Sequence, residues 1–459
     1  MQETTQSLCP ECLRRIDAKR VVRGNDAFLE KTCPYHGSFS DLIWKGDPPF
    51  SGWERPKIPK SPPVTFHEIE KGCPYDCGLC PDHRQRSCTV IIEVTGRCNL
   101  RCPVCYADSG YDPRPDPGMD LIHFWFQKAR QAAGNCNIQL SGGEPFVRDD
   151  LAEIVAVGKK TGFDFIQINT NGVRAAHDKA YVKALKKAGL ASVFLQFDGV
   201  CDDIYLKLRG RRLLTEKLAA IEIFGENDIG VVLVPTLVPG INADQVGDIL
   251  KAAIEMSPAI RAVHFQPVSY FGRYFSDNGN RQRLTLPELM RTIEDRTDGM
   301  FKTSQFGPPG CENARCSFHG NYLIMSDGSV MSLQKSETCC GPPVDAEKGA
   351  FSAISYVARQ WASPLKQGTV FTSATSSCCS GPGDAAERGE SGVIRLEDFV
   401  QRVRTHTFSV SAMAFQDVWN LDLERVRDCC IHVMASDGML VPFCLYNLTA
   451  AGGKRLYRQ

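Results

Sequence analysis

The alternation of apolar and polar positions divides the chain into a regular centre and two irregular flanks. From residue 89 onward, short apolar runs with strand character recur at 89–95, 137–141, 164–169, 192–197, 231–236 and 262–267. Helical periodicity fills the intervals. Over 119–133 it places Ile122, Trp125, Phe126, Ala129 and Ala133 on one face. A second pattern, 150–160, ends at Gly162, a third, 179–188, ends at Gly189, and a fourth, 244–256, repeats Val246, Ile249, Leu250 and Ala253. Six strand–helix units predict a parallel sheet wrapped by helices. The fold class expected is α/β, a partial (β/α)6 TIM-like barrel with its site at the carboxyl ends of the strands.

The flanks obey no such period. Residues 1–44 read as a small metal knuckle: Cys9-Pro-Glu-Cys12 and Cys33-Pro-Tyr-His36 are two short ligand turns on either side of a stretch with strand character. Residues 45–88 begin with a stiff Pro-rich linker and end in a cysteine-rich segment. The barrel is expected over 89–300 and a cluster-binding C-terminal extension over 301–459. Within that extension, 341–391 is rich in Gly, Ser, Ala and Pro and reads as a mobile insertion. Two vicinal pairs, Cys339-Cys340 and Cys378-Cys379, begin similar segments and suggest a small internal repeat. The Asp-Gly pairs at 327–328 and 437–438 lie between apolar runs and predict hairpins.

Composition changes this picture at one point, the 21 cysteines in 459 residues. In a large chain of a reducing compartment this richness points to metal rather than to disulfides. Formal net charge is zero, with no basic block, which argues against nucleic acid as a partner. No apolar run approaches the roughly 20 residues of a membrane span, and the first residues lack the charged and apolar parts of a signal peptide. A cytoplasmic location is expected.

The spacing Cys-x3-Cys-x2-Cys occurs twice, at Cys73, Cys77, Cys80 and at Cys98, Cys102, Cys105. Three thiolates can hold three irons of a cubane and leave the fourth open to chemistry. The second triplet follows a strand by three residues and so sits at the catalytic face. At the same end of the next strand lies Ser141-Gly142-Gly143-Glu144-Pro145. Its glycines let the backbone approach a ligand closely, and Glu144 can accept hydrogen bonds from an ammonium group. The first triplet lacks both neighbours but has Cys88 eight residues on, which closes a four-cysteine set for an auxiliary cluster or, in the plainer reading, a zinc site. Cys311, Cys316, Cys444 and one of Cys429 or Cys430 flank the two hairpins and are candidates for a further cluster, the alternative being buried, unligated thiols.

The second triplet together with Gly142-Gly143-Glu144 resembles the radical S-adenosylmethionine (SAM) superfamily. The resemblance implies a [4Fe-4S] cluster on Cys98, Cys102 and Cys105, chelated at its open iron by SAM. One-electron cleavage then yields a 5′-deoxyadenosyl radical that takes hydrogen from an unactivated carbon. It also implies that Gly142, Gly143 and Glu144 bind the SAM amino group. Polar residues at later strand ends, Asn169, Asn171, Gln196, Asp198 and Gln266, are further SAM contacts or polar groups satisfied within the rim. The whole order, with FQPVSYFGR and a late DGMLVPFCLYN, resembles the tetraether lipid synthase group and its relatives described as methylases of a pterin precursor.

That group implies three [4Fe-4S] clusters and a mononuclear Fe or Zn on Cys9, Cys12, Cys33 and His36, with Cys73, Cys77, Cys80 and Cys88 on the first auxiliary cluster. The expected activity is bond formation at an unactivated carbon, by coupling or methylation. The partners implied are a lipid or small-molecule substrate and an external one-electron donor of the ferredoxin or flavodoxin type, with peripheral membrane contact for a lipid substrate. Two alternatives stand beside this reading. Vicinal thiols suit soft metalloids, so arsenic modification is one; a non-catalytic electron-transfer or metal-sensing protein with several clusters is the other.

Overall fold

Period-two alternation at the start of the chain folds into a four-stranded antiparallel sheet. In the computed structural model, which describes residues 2–66, 68–110, 114–274, 281–333, 343–364 and 396–458, its strands are β1 (Gln2–Leu8), β2 (Arg15–Arg23), β3 (Asp26–Cys33) and β4 (Gly37–Trp44), in that order. A two-residue strand, β5 (Lys57–Ile58), follows in the linker.

The centre is the expected parallel sheet. It comprises β6 (Thr89–Thr95), β7 (Asn137–Gly142), β8 (Ile166–Thr170), β9 (Ser192–Gln196), β10 (Gly230–Val234), the short β11 (Thr236–Leu237) and β12 (Ile260–Pro267). The crossing helices are α1 (Met119–Ala133), α2 (Leu151–Lys160), α3 (Lys179–Ala188), α4 (Asp202–Arg209), α5 (Leu214–Glu226) and α6 (Val246–Glu255). Each of the four helices seen in the sequence pattern is present. The sequence pattern missed α4 and α5. Buried residues Lys217, Ala220, Ile221, Ile223 and Phe224 spread around α5 and leave no clean stripe to read.

The C-terminal part does more than append to this barrel. It contributes α7 (Leu286–Arg296), the hairpin β13 (Ser317–Ile324) and β14 (Val330–Ser332), β15 (Val344–Asp345), α8 (Ala346–Trp361), α9 (Leu396–Thr405), β16 (Thr407–Met413), α10 (Leu423–Arg427), the hairpin β17 (Ile431–Met434) and β18 (Leu440–Pro442), and α11 (Phe443–Tyr446). β16 adds in parallel to β12 at one edge, and β17 adds in parallel to β6 at the other. The six-unit sheet thus becomes eight parallel strands, and residues 414–430 run as a strap from one side to the other. Both Asp-Gly turns are hairpins, with Gly328 and Gly438 at φ +82° and +89°.

The expectation of a mobile insertion over 341–391 is corrected in part. Residues 346–361 of it form α8, capped by Asp345 on the backbone N–H of Glu347 and Lys348. This helix lies against the amino ends of the strands. Asn137 Nδ2 donates to Ile354 O at 3.5 Å, and Arg261 Nε donates to Gln360 O at 3.1 Å. A Cβ on Gly230 would meet Trp361 O at 2.1 Å, so the helix end fits only over glycine. α8 therefore closes the bottom of the barrel. The pairs Cys339-Cys340 and Cys378-Cys379 lie outside the described residues. Among the described residues no helix is long and apolar enough to cross a membrane.

The N-terminal sheet is bolted to the strap. Arg20 Nε meets Asp422 Oδ2 at 2.6 Å, Thr5 donates to Asp422 Oδ1 at 2.7 Å, and buried Lys31 donates to Val418 O at 2.8 Å. Burial pushes the Asp422 carboxyl up, but the hydrogen bond and charge of Arg20 outweigh it and leave the net value lowered. Asp422→Asn should cost about 2 kcal/mol in urea unfolding, since it takes the better-buried of two carboxylates from the half-buried Arg20, which keeps only Glu3, and Arg20→Met combined with Asp422→Leu should recover most of it. Because the folded carboxyl lies below its ordinary 3.8, this contribution is complete above that pH. It is lost as pH falls through the lower folded value, a loss the double variant should not show.

Candidate active site

The loop after β6 carries Cys98, Cys102 and Cys105, and all three thiols face a cavity of about 730 Å³ inside the barrel. Two elements clamp this loop. From the loop after β12, Arg273 Nε donates to Cys102 O at 2.7 Å, and the Cys105 and Arg273 backbones exchange hydrogen bonds of 2.8 and 2.9 Å. Gly272, at φ +66°, passes so close that a Cβ would lie 2.3 Å from Tyr106 O. From α4, Arg209 Nη1 donates to Val104 O at 3.0 Å and its guanidinium lies against Cys102. Burial pushes the Cys98 thiol up to about 12. Thiolates in this loop therefore require a cation.

Gly142 and Gly143 serve the same loop. Gly143 N donates to Thr95 O and Glu144 N to Arg97 O, each at 2.8 Å. A Cβ on Gly142 would lie 2.1 Å from Thr95 O, and one on Gly143 2.1 Å from Arg97 O. The glycine pair is thus required by protein backbone, before any ligand is considered. Glu144 is buried, and its carboxylate accepts from Phe146 N (3.0 Å), Thr170 Oγ1 (2.8 Å) and Asn171 N (2.6 Å). It joins the ends of β7 and β8 and lines the cavity. Asn171 in turn donates to Asn99 Oδ1 at 2.7 Å, inside the cysteine loop.

The remaining rim residues divide. Asn169, Gln196 and Gln266 line the cavity. Asn169 Nδ2 donates to Ser141, while its buried Oδ1 has no partner. Asp198, expected at the rim as a contact, is fully buried behind it. Its carboxylate takes the Arg209 guanidinium at 2.6 and 2.8 Å and positions that residue. Lys217 was not seen in the sequence. It is fully buried, donates to Gln196 Oε1 at 2.8 Å and to Asn171 O, and is pushed down to about 7 by burial. Arg209 and Lys217 sit on the two helices whose periodicity was illegible, so no sequence signal pointed to them. Arg273 falls within FQPVSYFGR, where a role for its arginine could have been suspected.

The other cysteines regroup. Cys9, Cys12, Cys33 and His36 bring their ligand atoms within 4.8 Å of one another, the geometry of a single-ion site. Cys88 does not complete the set of Cys73, Cys77 and Cys80. It is bonded to Cys311, with Cys430 also within 4.8 Å. The cause is topological: Cys88 and Cys430 precede the paired strands β6 and β17, and Cys88 N donates to Cys430 O at 2.8 Å. The expected late set divides likewise. Cys429 interacts by charge with Cys316 and Cys444, whereas Cys430, which also feels Cys316, comes within 4.8 Å of Cys88 and Cys311. The cavity runs from the Cys98 loop at the carboxyl ends to Cys88, Cys311 and Cys430 at the amino ends. That is about 23 Å along the seven residues of β6 at ~3.3 Å each.

Comparison with known proteins matches this geometry. The radical SAM superfamily profile matches residues 92–253, and that of the HMPTM N-terminal zinc ribbon domain matches residues 1–45. The 7,8-dihydro-6-hydroxymethylpterin dimethyltransferase of Methanocaldococcus jannaschii is 30% identical over 97% of this chain and 94% of its own. The chain belongs to the radical SAM superfamily, in the group of that dimethyltransferase. A GTP 3′,8-cyclase of Clostridium acetobutylicum is 27% identical over 44% of this chain and 63% of its own. The crystal structure of Streptococcus suis SuiB bound to S-adenosylmethionine superposes with a TM-score of 0.39 at 16% identity, over 47% and 48% of the two chains.

The residues present fit a radical SAM enzyme's cofactors. Three cavity-facing thiols are held by their backbone, a glycine seam locks the loop, and the unpartnered Asn169 acceptor can receive an amino group. Gly143→Ala should push residues 96–97 away from β7. We expect SAM cleavage, followed as 5′-deoxyadenosine, to fall at least about 100-fold, the penalty of an ångström-scale misplacement, with overall folding by circular dichroism retained.

Proposed function

We propose that this radical SAM enzyme, of methyltransferase type, acts on a planar nitrogen heterocycle of the pterin class. The supporting observation is the middle of the cavity. Phe194 lies 5.0 Å from Trp361 and stacks on His264 at 5.7 Å and 25°. Gln139, Ser141 and Ser411 lie on the same walls. Such a lining offers ring faces for stacking and neutral donors and acceptors for ring heteroatoms. Burial pushes His264 down to about 4, so its ring is uncharged at neutral pH.

In this reading Cys98, Cys102 and Cys105 hold a [4Fe-4S] cluster, and Asn169 with the backbone around Gly142 and Gly143 holds SAM. Bound there, the two supply a carbon-centred radical able to remove hydrogen from an unactivated carbon. The chain's own residues do the rest. Arg209 and Arg273 fix the loop, Glu144 ties it to β8, and α8 closes the barrel floor against water. Cys9, Cys12, Cys33 and His36 hold one Fe or Zn, and a ferredoxin- or flavodoxin-type donor supplies the electron. The dimethyltransferase relative supports a pterin acceptor. The metalloid reading rests on Cys339-Cys340 and Cys378-Cys379, about which the described residues say nothing.

The test is anaerobic incubation with SAM, dithionite and 7,8-dihydro-6-hydroxymethylpterin. The expected outcome is 5′-deoxyadenosine and methionine from one equivalent of SAM, together with a methylated pterin and S-adenosylhomocysteine from a second equivalent that gives up its methyl group, with two electrons drawn from dithionite, all read by mass spectrometry. 5′-Deoxyadenosine with unmodified pterin, and coupled chains when a lipid extract is supplied, would overturn the assignment. Phe194→Leu should raise the pterin KM about 10-fold with kcat little changed, the equivalent of ~1.4 kcal/mol of ring contact.

A further inference from the structure

We propose that His83, not Cys88, is the fourth ligand of the metal centre held by Cys73, Cys77 and Cys80. The proposal rests on reading that triplet as an iron–sulfur site, and it changes which residue completes the site. Cys73, Cys77, Cys80 and His83 line one small cavity, roofed by Arg427 and Pro442. A turn in which His83 N donates to Cys80 O at 3.0 Å brings the imidazole back toward the triplet. Cys88 is not among the lining residues; its sulfur is bonded to Cys311.

The hydrogen bonding of the ring leaves one nitrogen available to a metal. His83 Nε2 lies 2.7 Å from Cys429 O. A carbonyl can only accept, so Nε2 carries the hydrogen and Nδ1 keeps its lone pair. Metal-binding histidines almost always donate their second N–H to such an acceptor, which fixes tautomer and direction. The His432 ring packs edge-on at 5.0 Å and holds the plane. An imidazole in place of a thiolate removes one negative charge from the site. It raises the reduction potential, as it does where histidines replace cysteines on other clusters, and makes this centre an easier electron acceptor than an all-cysteine one.

The test uses the full chain with Cys98, Cys102 and Cys105 replaced by Ala, so that only the other centres report. It is reconstituted anaerobically with iron and sulfide and read by iron content, redox-titrated EPR and pulsed EPR. We expect a strong nitrogen coupling from a directly bound imidazole on the low-spin signal of the reduced cluster, which is separate from any high-spin signal of a single iron at His36. His83→Cys should keep the iron, lose that coupling and lower the midpoint potential. His83→Ala should lose up to about four irons per chain, and Cys88→Ser should leave coupling and potential unchanged. Iron and coupling unchanged in His83→Ala, or the centre lost in Cys88→Ser, would overturn the proposal. Iron unchanged in Cys73→Ala/Cys77→Ala/Cys80→Ala would instead sink the underlying reading of the triplet.

Discussion

The site depends on one seam of backbone. Gly143 N and Glu144 N donate to Thr95 O and Arg97 O across a contact that leaves no room for a Cβ on either glycine. The seam holds the start of the cysteine loop against the end of the next strand. Arg209, Arg273 and Gly272 then clamp the loop's far side, and Glu144 and Asn171 pass the constraint on to β8. Three thiols are thereby presented together to one cavity. The glycines are required because the loop's own backbone comes this close to the strand end.

A second constraint works from the opposite end of the chain. Consecutive strands β16 and β17 join opposite edges of the sheet, so the strap between them has to cross the barrel's open side. The N-terminal metal ribbon locks that strap through Arg20, Thr5 and Lys31. α8 closes the floor. The long cavity therefore lies between two sulfur sets, one at each end of the parallel strands, and its walls come from segments more than 300 residues apart.

The legible part of the fold was the part with a strong period. All six barrel strands and the helices with a clean apolar stripe could be placed from the residues alone, as could the metal knuckle and both Asp-Gly hairpins. Helices α4 and α5 were not, and with them went Arg209 and Lys217, since a helix buried around its circumference shows no stripe. α8 was hidden in a Gly- and Ser-rich neighbourhood. Its ordering comes from packing on strand ends, chiefly the fit over Gly230, and not from its own composition.

The amino-acid sequence by itself determined where the Cys98 loop and the glycine seam lie. The spacing of Cys98, Cys102 and Cys105 after a strand, and Gly142-Gly143-Glu144 after the next, are local relations that survive without coordinates. Only the tertiary structure decided how the other cysteines group. Spacing assigned Cys88 to its neighbours Cys73, Cys77 and Cys80, but pairing of β6 with β17 carries it to Cys430 and Cys311, and leaves His83 beside the triplet instead. The reason is physical. A ligand set closed within a few residues is governed by chain geometry, whereas one closed across hundreds of residues is governed by which strands pair.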